Sequence, residues 1–191
     1  MTPESRQRGL KLAYRLRGLL LAPPLAFVLL SCDWEVENYW IAFGLGGLLF
    51  GLGLAIRVWA QTHLHYRLSV KKQLTTTGPY AHVRNPIYIG TTSILLGACF
   101  MSELLWFAPV MLAWCFAVYH LATKHEETRL LARYGRAYEQ YRDRTPRWIP
   151  RMPRATDSAE RPAEKFLWPS VLAEAHNLAL VIPFVLKDLL H

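Results

Sequence analysis

Four long runs without Asp, Glu, Lys or Arg alternate with short charged segments, and this alternation limits what the chain can fold into. The uncharged runs are residues 19–31, 39–56, 86–102 and 104–123. The second run has eighteen residues, which reach about 27 Å as a helix rising 1.5 Å per residue. Because backbone exposed to lipid must satisfy its own hydrogen bonds, such runs cross a membrane as helices. The sequence therefore predicts an all-α, multi-pass transmembrane helical bundle with four crossings.

The basic residues lie on one side of this predicted bundle. Of the 22 Lys and Arg residues, five fall within residues 1–17, five within 57–85 and eleven within 122–165. The two opposite loops, residues 33–38 and 102–103, contain none and are acidic. The positive-inside rule assigns the basic side to the cytoplasm. We therefore expect a multi-pass integral membrane protein, of the bacterial inner membrane or the endoplasmic reticulum, with its N-terminus in the cytoplasm.

These features divide the chain into three parts. Residues 1–150 form the predicted transmembrane domain, and residues 151–165, rich in Pro, Ala and charge, are typical of a linker. Residues 166–191 form an apolar C-terminal helix that is long enough to cross, although Glu174 lies near its middle. Both an interfacial or packed helix and a fifth crossing remain open for this part.

Two features predict how the crossings pack. Gly47-x-x-x-Gly51 is typical of a face on which two membrane helices approach closely. Only residues 102–103 separate the third and fourth runs, which predicts an antiparallel helical hairpin. The hairpin brings the segment before the third crossing and the segment after the fourth together at the cytoplasmic end of the bundle, which we call the mouth.

The segment that leads into the third crossing has the features of an anion site. Thr77-Gly78-Pro79-Tyr80 has turn chemistry. Asn85 suits the N-cap of a helix, and Pro86 suits its first position. The positive end of this helix, with Arg84 beside it, favours a carboxylate or a phosphate. Simple capping at a membrane surface explains the same residues, and both interpretations remain open.

Two adjacent carboxylates, Glu126 and Glu127, follow the fourth crossing. As acidic residues they do not contribute to the excess of Lys and Arg on that side, so the orientation of the chain in the membrane does not explain why they are there. A stripe at helical spacing continues from the second carboxylate through Leu131, Tyr134, Tyr138 and Tyr141. An aromatic stripe often reflects core packing. Here it also predicts a pocket at the mouth, in which Tyr rings, carboxylates and positive charge surround the end of the bundle.

The cysteines and histidines do not predict a metal site. The three cysteines lie in or beside apolar runs, with no spacing typical of pairing or of metal binding. His63-x-His65 and His82 lack a carboxylate or thiol at ligand spacing. We therefore expect no metal.

Several short motifs follow one another in order along roughly residues 40–150. They are Gly78-Pro-Tyr80, Arg84-Asn-Pro-x-Tyr88, Glu126-Glu127 and Tyr134-Gly-x-x-Tyr-x-x-Tyr141, followed by Pro146-Arg-x-x-Pro150. This combination resembles the integral membrane methyltransferases, a group that includes isoprenylcysteine carboxyl methyltransferase and the phospholipid N-methyltransferases. The resemblance implies S-adenosylmethionine as methyl donor, bound in a cytoplasmic pocket at the ends of the last crossings without a Rossmann domain.

The resemblance also implies which residues bind this cofactor. They are His65, Lys72, Gln73, Leu74, Thr75, Tyr80, Asn85, Pro86, Ile87, Tyr88 and Glu126. The family usually has His where this chain has Asn85, which caps and hydrogen-bonds in a similar way. In the carboxyl methyltransferase branch an Arg faces the substrate four residues before the first matching Glu. This chain has Ala122 there, which weakens the case for a prenylcysteine substrate.

We therefore expect an enzyme that transfers a methyl group to a lipid-like or membrane-embedded acceptor, of the isoprenylcysteine carboxylate or phospholipid amine type. Glu127 is the expected base if the acceptor is an amine, and Arg84 orients a carboxylate or thiolate acceptor. The expected partners are a hydrophobic or lipidated acceptor and membrane lipids, not nucleic acid.

Two other functions remain open from the sequence. Membrane sterol reductases have a related helical arrangement and use NADPH. A pocket for its 2′-phosphate would need further basic residues near Lys71 and Lys72, and Arg67 and Arg84 could serve. A non-catalytic scaffold would instead use the basic side to bind anionic lipid.

Overall fold

The structure, a computed structural model, describes residues 3–31, 39–66, 73–152 and 166–183. All regular secondary structure in these ranges is helical, which confirms the predicted all-α class for them. The α-helices are α1 (Pro3–Leu30), α2 (Tyr39–Tyr66), α3 (Pro79–His82), α4 (Pro86–Met101), α5 (Ala108–Tyr134), α6 (Arg136–Arg144) and α7 (Leu167–Glu174). Two 3-10 helices, Leu105–Phe107 and Ala175–Val181, precede α5 and follow α7.

Three helical stretches within the described residues are long and apolar enough to cross a membrane. They are Gln7–Leu30, Trp40–His65 and Leu105–Tyr134. The helix α4 is equally apolar but has only 16 residues, so it reaches about 24 Å and is shorter than a typical crossing of about 20 residues. The bundle therefore has three long candidate spans and one shorter apolar helix, where the sequence predicted four similar crossings.

The helices α2 and α4 touch through two pairs of glycines. A Cβ atom added at Gly53 would lie 2.6 Å from the carbonyl oxygen of Gly90, and one added at Gly46 would lie 2.7 Å from that of Gly97. The pairing of the earlier residue of α2 with the later residue of α4 shows that the two helices run antiparallel. Backbone contact of this kind is how helices associate in lipid, where burial of apolar side chains from water gives little gain.

The predicted packing face of Gly47 and Gly51 is wrong. A Cβ atom at either position would meet nothing within 4 Å, and both glycines are exposed on the surface of α2. Gly46 and Gly53 lie on the face that contacts α4. All four glycines fall within two turns of one helix, and the rotation of that helix, which the sequence does not fix, decides which of them are buried.

The helices α4 and α5 form the predicted antiparallel hairpin. The turn begins at Ser102, whose N–H donates to the carbonyl of Ala98 at 2.9 Å, and Leu104 N–H donates to the carbonyl of Cys99 at 3.0 Å. At the opposite end of the hairpin, Tyr88 of α4 stacks on Tyr119 of α5 with ring centroids 4.4 Å apart. The start of α4 therefore lies beside the middle of α5.

The helix α1 continues through Pro23 and Pro24. Proline has no N–H, so Pro24 cannot donate to the carbonyl of Leu20 four residues earlier. The indole Nε1 of Trp114 donates to that carbonyl at 2.8 Å instead. Because an unpaired carbonyl is costly in lipid, this bond both satisfies the proline site and attaches α1 to α5.

The described C-terminal residues, 166–183, pack along α2, and we call them the C-terminal segment. The hydroxyl of Ser170 lies 3.4 Å from Nδ1 of His65, and Arg57 forms an ion pair of 2.6 Å with the buried Glu174. Residues 153–165 of the predicted linker, and residues 184–191, lie outside the described residues.

We expect Gly53→Ala to lower the stability of the bundle, because the added methyl group would overlap the backbone of α4. The cost should be about 1–3 kcal/mol, the usual range for overpacking, and it can be measured by thermal unfolding in detergent micelles. The matched control is Gly51→Ala, which adds the same methyl group to open space on the same helix. Equal unfolding midpoints for the two variants would contradict the glycine contact.

Candidate functional site

A cavity of about 1020 Å³ lies among α1, α2, α4, α5 and the C-terminal segment. Part of its wall is polar and includes Arg84, Glu126 and Tyr141, and another part is apolar and includes Leu21 and Ile94. A cavity of this volume is large enough for a cofactor-sized molecule. Its two kinds of wall suit a ligand, or a pair of ligands, with a charged and an apolar part.

The carboxylate of Glu127 holds two guanidinium groups at this cavity. Arg84 Nη1 donates to Oε1 at 2.7 Å, and Arg147 donates to Oε1 from Nε at 3.0 Å and to Oε2 from Nη2 at 2.6 Å. All three side chains are largely buried, with at most 26% of their surface exposed. Charge-assisted, bidentate contacts of this type are strong and geometrically specific. Both oxygens of Glu127 are therefore occupied by protein cations.

The chain around Asn85 is fastened to the segment that follows α6. Arg84 N–H donates to the carbonyl of Pro146 at 2.9 Å, and Asn85 Nδ2 donates to the carbonyl of Arg147 at 3.2 Å. Asn85 occupies the N-cap position of α4 and Pro86 its first turn, as predicted, but the Asn85 side chain makes no capping bond. The first N–H groups of α4 are consequently left without a side-chain acceptor from the N-cap.

Glu126 points to a different neighbourhood from Glu127. Its carboxylate lies beside the hydroxyl groups of Tyr88 and Tyr14, with the guanidinium groups of Arg17 and Arg129 nearby. These neighbours come from α1, α4 and α5, so three helices contribute to this part of the cavity. A carboxylate among tyrosine rings attracts cations, and the guanidinium of Arg17 lies over the Tyr14 ring, 4.2 Å from its centroid.

Tyr80 and Tyr141 form the polar edge of the cavity. The hydroxyl of Tyr141 donates to the carbonyl of Tyr80 at 2.9 Å. The turn before Tyr80 has Gly78 at φ 61°, a conformation that favours glycine. Burial raises the pKa of both hydroxyls well above the usual range, and the negative charge of Glu126 raises the pKa of Tyr80 further. Both tyrosines therefore stay neutral and able to donate hydrogen bonds.

The predicted single helix through Glu127 and Tyr141 is wrong. The helix α5 ends at Tyr134 and α6 begins at Arg136, with Gly135 between them at φ 50°. A positive φ of this kind is adopted mainly by glycine because it has no Cβ to clash. Tyr134, Tyr138 and Tyr141 nevertheless all line the cavity, although they belong to two helices.

The structure brings most of the predicted site residues together. Those in the cavity wall are Tyr80, Arg84, Asn85, Pro86, Ile87, Tyr88, Glu126 and Glu127. The predicted cofactor residues His65, Gln73, Leu74 and Thr75 are not among the residues that line it. Lys72 lies outside the described residues. The cofactor contacts of these five residues stay predictions.

Two groups of wall residues were missed from the sequence. Tyr14 and Arg17 of α1 line the cavity together with Leu21, and their spacing of three to four residues is a helical stripe that the sequence contains. Arg57 and His176 also line it. No sequence signal connects α2 with the C-terminal segment, because their contact depends on how the chain returns after residues outside the described ranges.

Within the described residues, no group of three or more His, Cys, Asp or Glu side chains is arranged to hold a metal ion. Cys99 and Cys115 are free and buried in the core.

The fold and the site together define a helical membrane protein with an amphipathic cavity at one end of a helix hairpin. Residues 41–137, about half of the chain, match the phospholipid methyltransferase family. The chain belongs to this family. The resemblance seen in the sequence motifs is thereby confirmed.

Three known proteins are similar to parts of the chain. The nickel-cobalt-cadmium resistance protein NccN of Alcaligenes xylosoxydans is 31% identical over 61% of this chain and 54% of its own length. The cobalt-zinc-cadmium resistance protein CzcN of Cupriavidus metallidurans is 33% identical over 56% of this chain and 49% of its own. The protein-S-isoprenylcysteine O-methyltransferase of Schizosaccharomyces pombe is 42% identical over 42% of this chain and 34% of its own.

The chain thus spans about half the length of the first two relatives and a third of the last. No solved structure is significantly similar to it.

We expect Glu127→Gln to destabilise the protein, because it leaves the guanidinium groups of Arg84 and Arg147 without a counter-charge. The loss should be about 3 kcal/mol, the lower end of the range for breaking a buried pair, since the three side chains keep some solvent contact. Thermal unfolding in detergent measures it. Glu139→Gln, an exposed change on α6, is the control, and an equal effect of both variants would show that the ion pairs contribute nothing.

Proposed function

We propose that this protein transfers a methyl group from S-adenosylmethionine to a lipid-like or membrane-embedded acceptor. One observation carries the proposal: the cavity joins a carboxylate and tyrosine rings at Glu126 to an apolar wall around Ile94. Family membership supports the reaction class. The acceptor type follows from the apolar wall, because a fully water-soluble acceptor would gain nothing from it.

The residues of the polar wall fit the cofactor. Its sulfonium is cationic and suits the Glu126 carboxylate and the ring of Tyr88. Its amino-acid carboxylate suits the start of α4. There, the first intrahelical bond runs from Ile89 N–H to the carbonyl of Asn85 at 3.3 Å. The N–H groups of Ile87 and Tyr88 precede that bond and make the positive helix end an anion site.

The cofactor, when bound, supplies both the methyl group and its leaving group. The protein therefore needs mainly to align the acceptor with the methyl group and to exclude water. Alignment of two reactants supplies about 7–11 kcal/mol of a barrier. The buried rings of Tyr80 and Tyr88 and the half-buried ring of Tyr141 form walls suited to this task.

Arg84 and Glu127 act in this proposal by holding the mouth of the cavity together. Their mutual bond of 2.7 Å, and the second cation at Arg147, occupy the carboxylate that the sequence suggested as a base. The guanidinium of Arg84 still lines the cavity. It remains in position to orient an anionic acceptor such as a carboxylate or thiolate.

The membrane arrangement follows from the distribution of basic residues. The excess of Lys and Arg in the first half of α1, and from the last part of α5 onward, favours a cytoplasmic mouth under the positive-inside rule. We infer that α4, although short, is the fourth crossing, because it is apolar and lies antiparallel to both α2 and α5. A lipid-like acceptor then enters the cavity from the bilayer, and the cofactor enters from the cytoplasm.

Calorimetric titration of the purified protein with S-adenosylmethionine, and separately with NADPH, tests the cofactor. We expect saturable binding of S-adenosylmethionine and none of NADPH. Binding of NADPH alone would replace the proposal with a reductase. Binding of neither would leave a non-catalytic membrane protein.

We expect Glu126→Gln to weaken the affinity for S-adenosylmethionine by about tenfold, the equivalent of 1.4 kcal/mol, because the cation loses its counter-charge. The exposed variant Glu139→Gln provides the control for a change of net charge. An unchanged dissociation constant in Glu126→Gln would show that the sulfonium does not bind beside this carboxylate.

A further inference from the structure

The ring of His176 forms a hydrogen bond within the C-terminal segment and also lines the cavity. His176 belongs to the 3-10 helix Ala175–Val181. Its Nδ1 lies 2.8 Å from the carbonyl oxygen of Ala173. A carbonyl only accepts, so Nδ1 must carry the proton of the bond, which leaves Nε2 of the neutral ring with a free lone pair. Nε2 forms no hydrogen bond with any part of the chain that the structure describes.

A buried polar network fixes the backbone on either side of His176. Arg57 donates to Glu174 from Nε at 2.6 Å and from Nη2 at 3.1 Å. Asn177 Nδ2 donates to the same carboxylate at 2.9 Å. Arg57 also donates to Thr91 of α4. The residues two before and one after His176 are therefore tied to the two helices that form the glycine contact.

Stability alone is a weak explanation for this network. A buried ion pair loses hydration that its attraction barely recovers, so apolar residues of similar size usually stabilise a fold as well or better. The Glu174 side chain is only 3% exposed. The match to the phospholipid methyltransferase family ends at residue 137, so Glu174 and His176 lie beyond the part of the chain that carries the family match.

Methyl transfer to an amine or a thiol releases a proton, and the other titratable groups of the cavity wall are poorly placed to take it. Glu127 has both oxygens bonded to guanidinium groups. Glu126 lies between tyrosine hydroxyls and two arginines, where the proposed function places the cofactor cation. Arginine does not deprotonate in proteins. Histidine is the side chain that most often acts as a general base, and His176 offers an unoccupied nitrogen.

We propose that His176 is the general base for an acceptor that carries an ionisable proton, and that Arg57, Glu174 and Asn177 position it. This assignment rests on the proposed function and narrows the acceptor to a lipid-like amine or thiol. In the step, the acceptor lone pair forms the new bond to the methyl carbon. The carbon–sulfur bond breaks with its electron pair staying on sulfur, and the acceptor proton passes to Nε2 of His176.

The first test compares acceptors with and without a proton to lose. Purified protein in lipid nanodiscs receives labelled S-adenosylmethionine with phosphatidylethanolamine, hexadecanethiol or hexadecanoate. We expect methylation of the amine or the thiol, and a decrease in kcat of about 100-fold or more in His176→Ala, as for loss of a general base. Added imidazole should restore part of this rate, because the His176 side chain is exposed and lines the cavity, so a small base can take its place. The control is Leu178→Ala, an exposed change on the same 3-10 helix.

The second test does not depend on turnover. Nitrogen NMR of the protein labelled at histidine should show His176 as the tautomer protonated on Nδ1, with the signal assigned by its loss in His176→Gln. A tautomer protonated on Nε2 would overturn the proposal, because that nitrogen then has no lone pair to accept a proton.

The outcomes separate this proposal from the proposed function. Methylation of hexadecanoate alone, or equal rates for His176→Ala and the native protein, would overturn the role of His176 and leave the methyltransferase intact. If His176→Ala loses its rate and imidazole restores none of it, the loss reflects a structural defect, because a small base can replace only a missing base. That outcome would also contradict the role of His176. Failure of the native protein to bind S-adenosylmethionine would remove the proposed function itself.

Discussion

The carboxylate of Glu127 binds both Arg84 and Arg147, and these contacts hold together the polar part of the cavity wall. The two arginines precede α4 and follow α6, so Glu127 on α5 fastens both segments to one point. Backbone bonds from the Arg84 region to Pro146 strengthen the same junction. Because charges at such a site lose hydration, each depends on the others remaining in place. The start of α4, which is the proposed anion site, is held in position by this junction.

A second constraint acts within the apolar part of the bundle. The glycine pairs of α2 and α4 bring the two backbones together. The lack of a side chain at Gly90 also leaves room for the aliphatic part of Arg57, since a Cβ at Gly90 would lie 2.7 Å from Arg57 Cγ. The guanidinium group can then reach both Thr91 and Glu174. Helix packing and the placement of the C-terminal segment are therefore parts of one arrangement. The ion pairs of Glu127 hold the polar wall of the cavity, and the glycine contact with the Arg57 network supports His176.

The fold class and many residues of the cavity wall could be predicted from the sequence, because both depend on patterns among residues that are close in sequence. Uncharged runs predict helices, the short turn at Ser102 predicts the hairpin, and the motifs around Asn85 and Glu126 converge in the cavity wall. Predictions were less accurate where they depended on the rotation of a helix about its axis or on contacts between residues far apart in sequence. Gly47 and Gly51 face away from α4, and Gly135 interrupts the stripe of tyrosines. The network of Arg57 and Glu174 joins residues 117 positions apart, a contact that helical periodicity does not report.

We propose that the cavity beside Glu126 carries out methyl transfer to a lipid-like acceptor. The most direct measurement incubates the purified protein with labelled S-adenosylmethionine and membrane extracts and then separates lipids, proteins and small molecules. We expect label in a product that extracts with lipid or stays on a lipidated protein. At a cofactor concentration below saturation, we expect about a tenth as much label when Glu126→Gln replaces the native protein, in line with its weaker affinity. Label found only in a water-soluble product without an apolar tail would contradict the proposal, as would equal labelling by the two proteins.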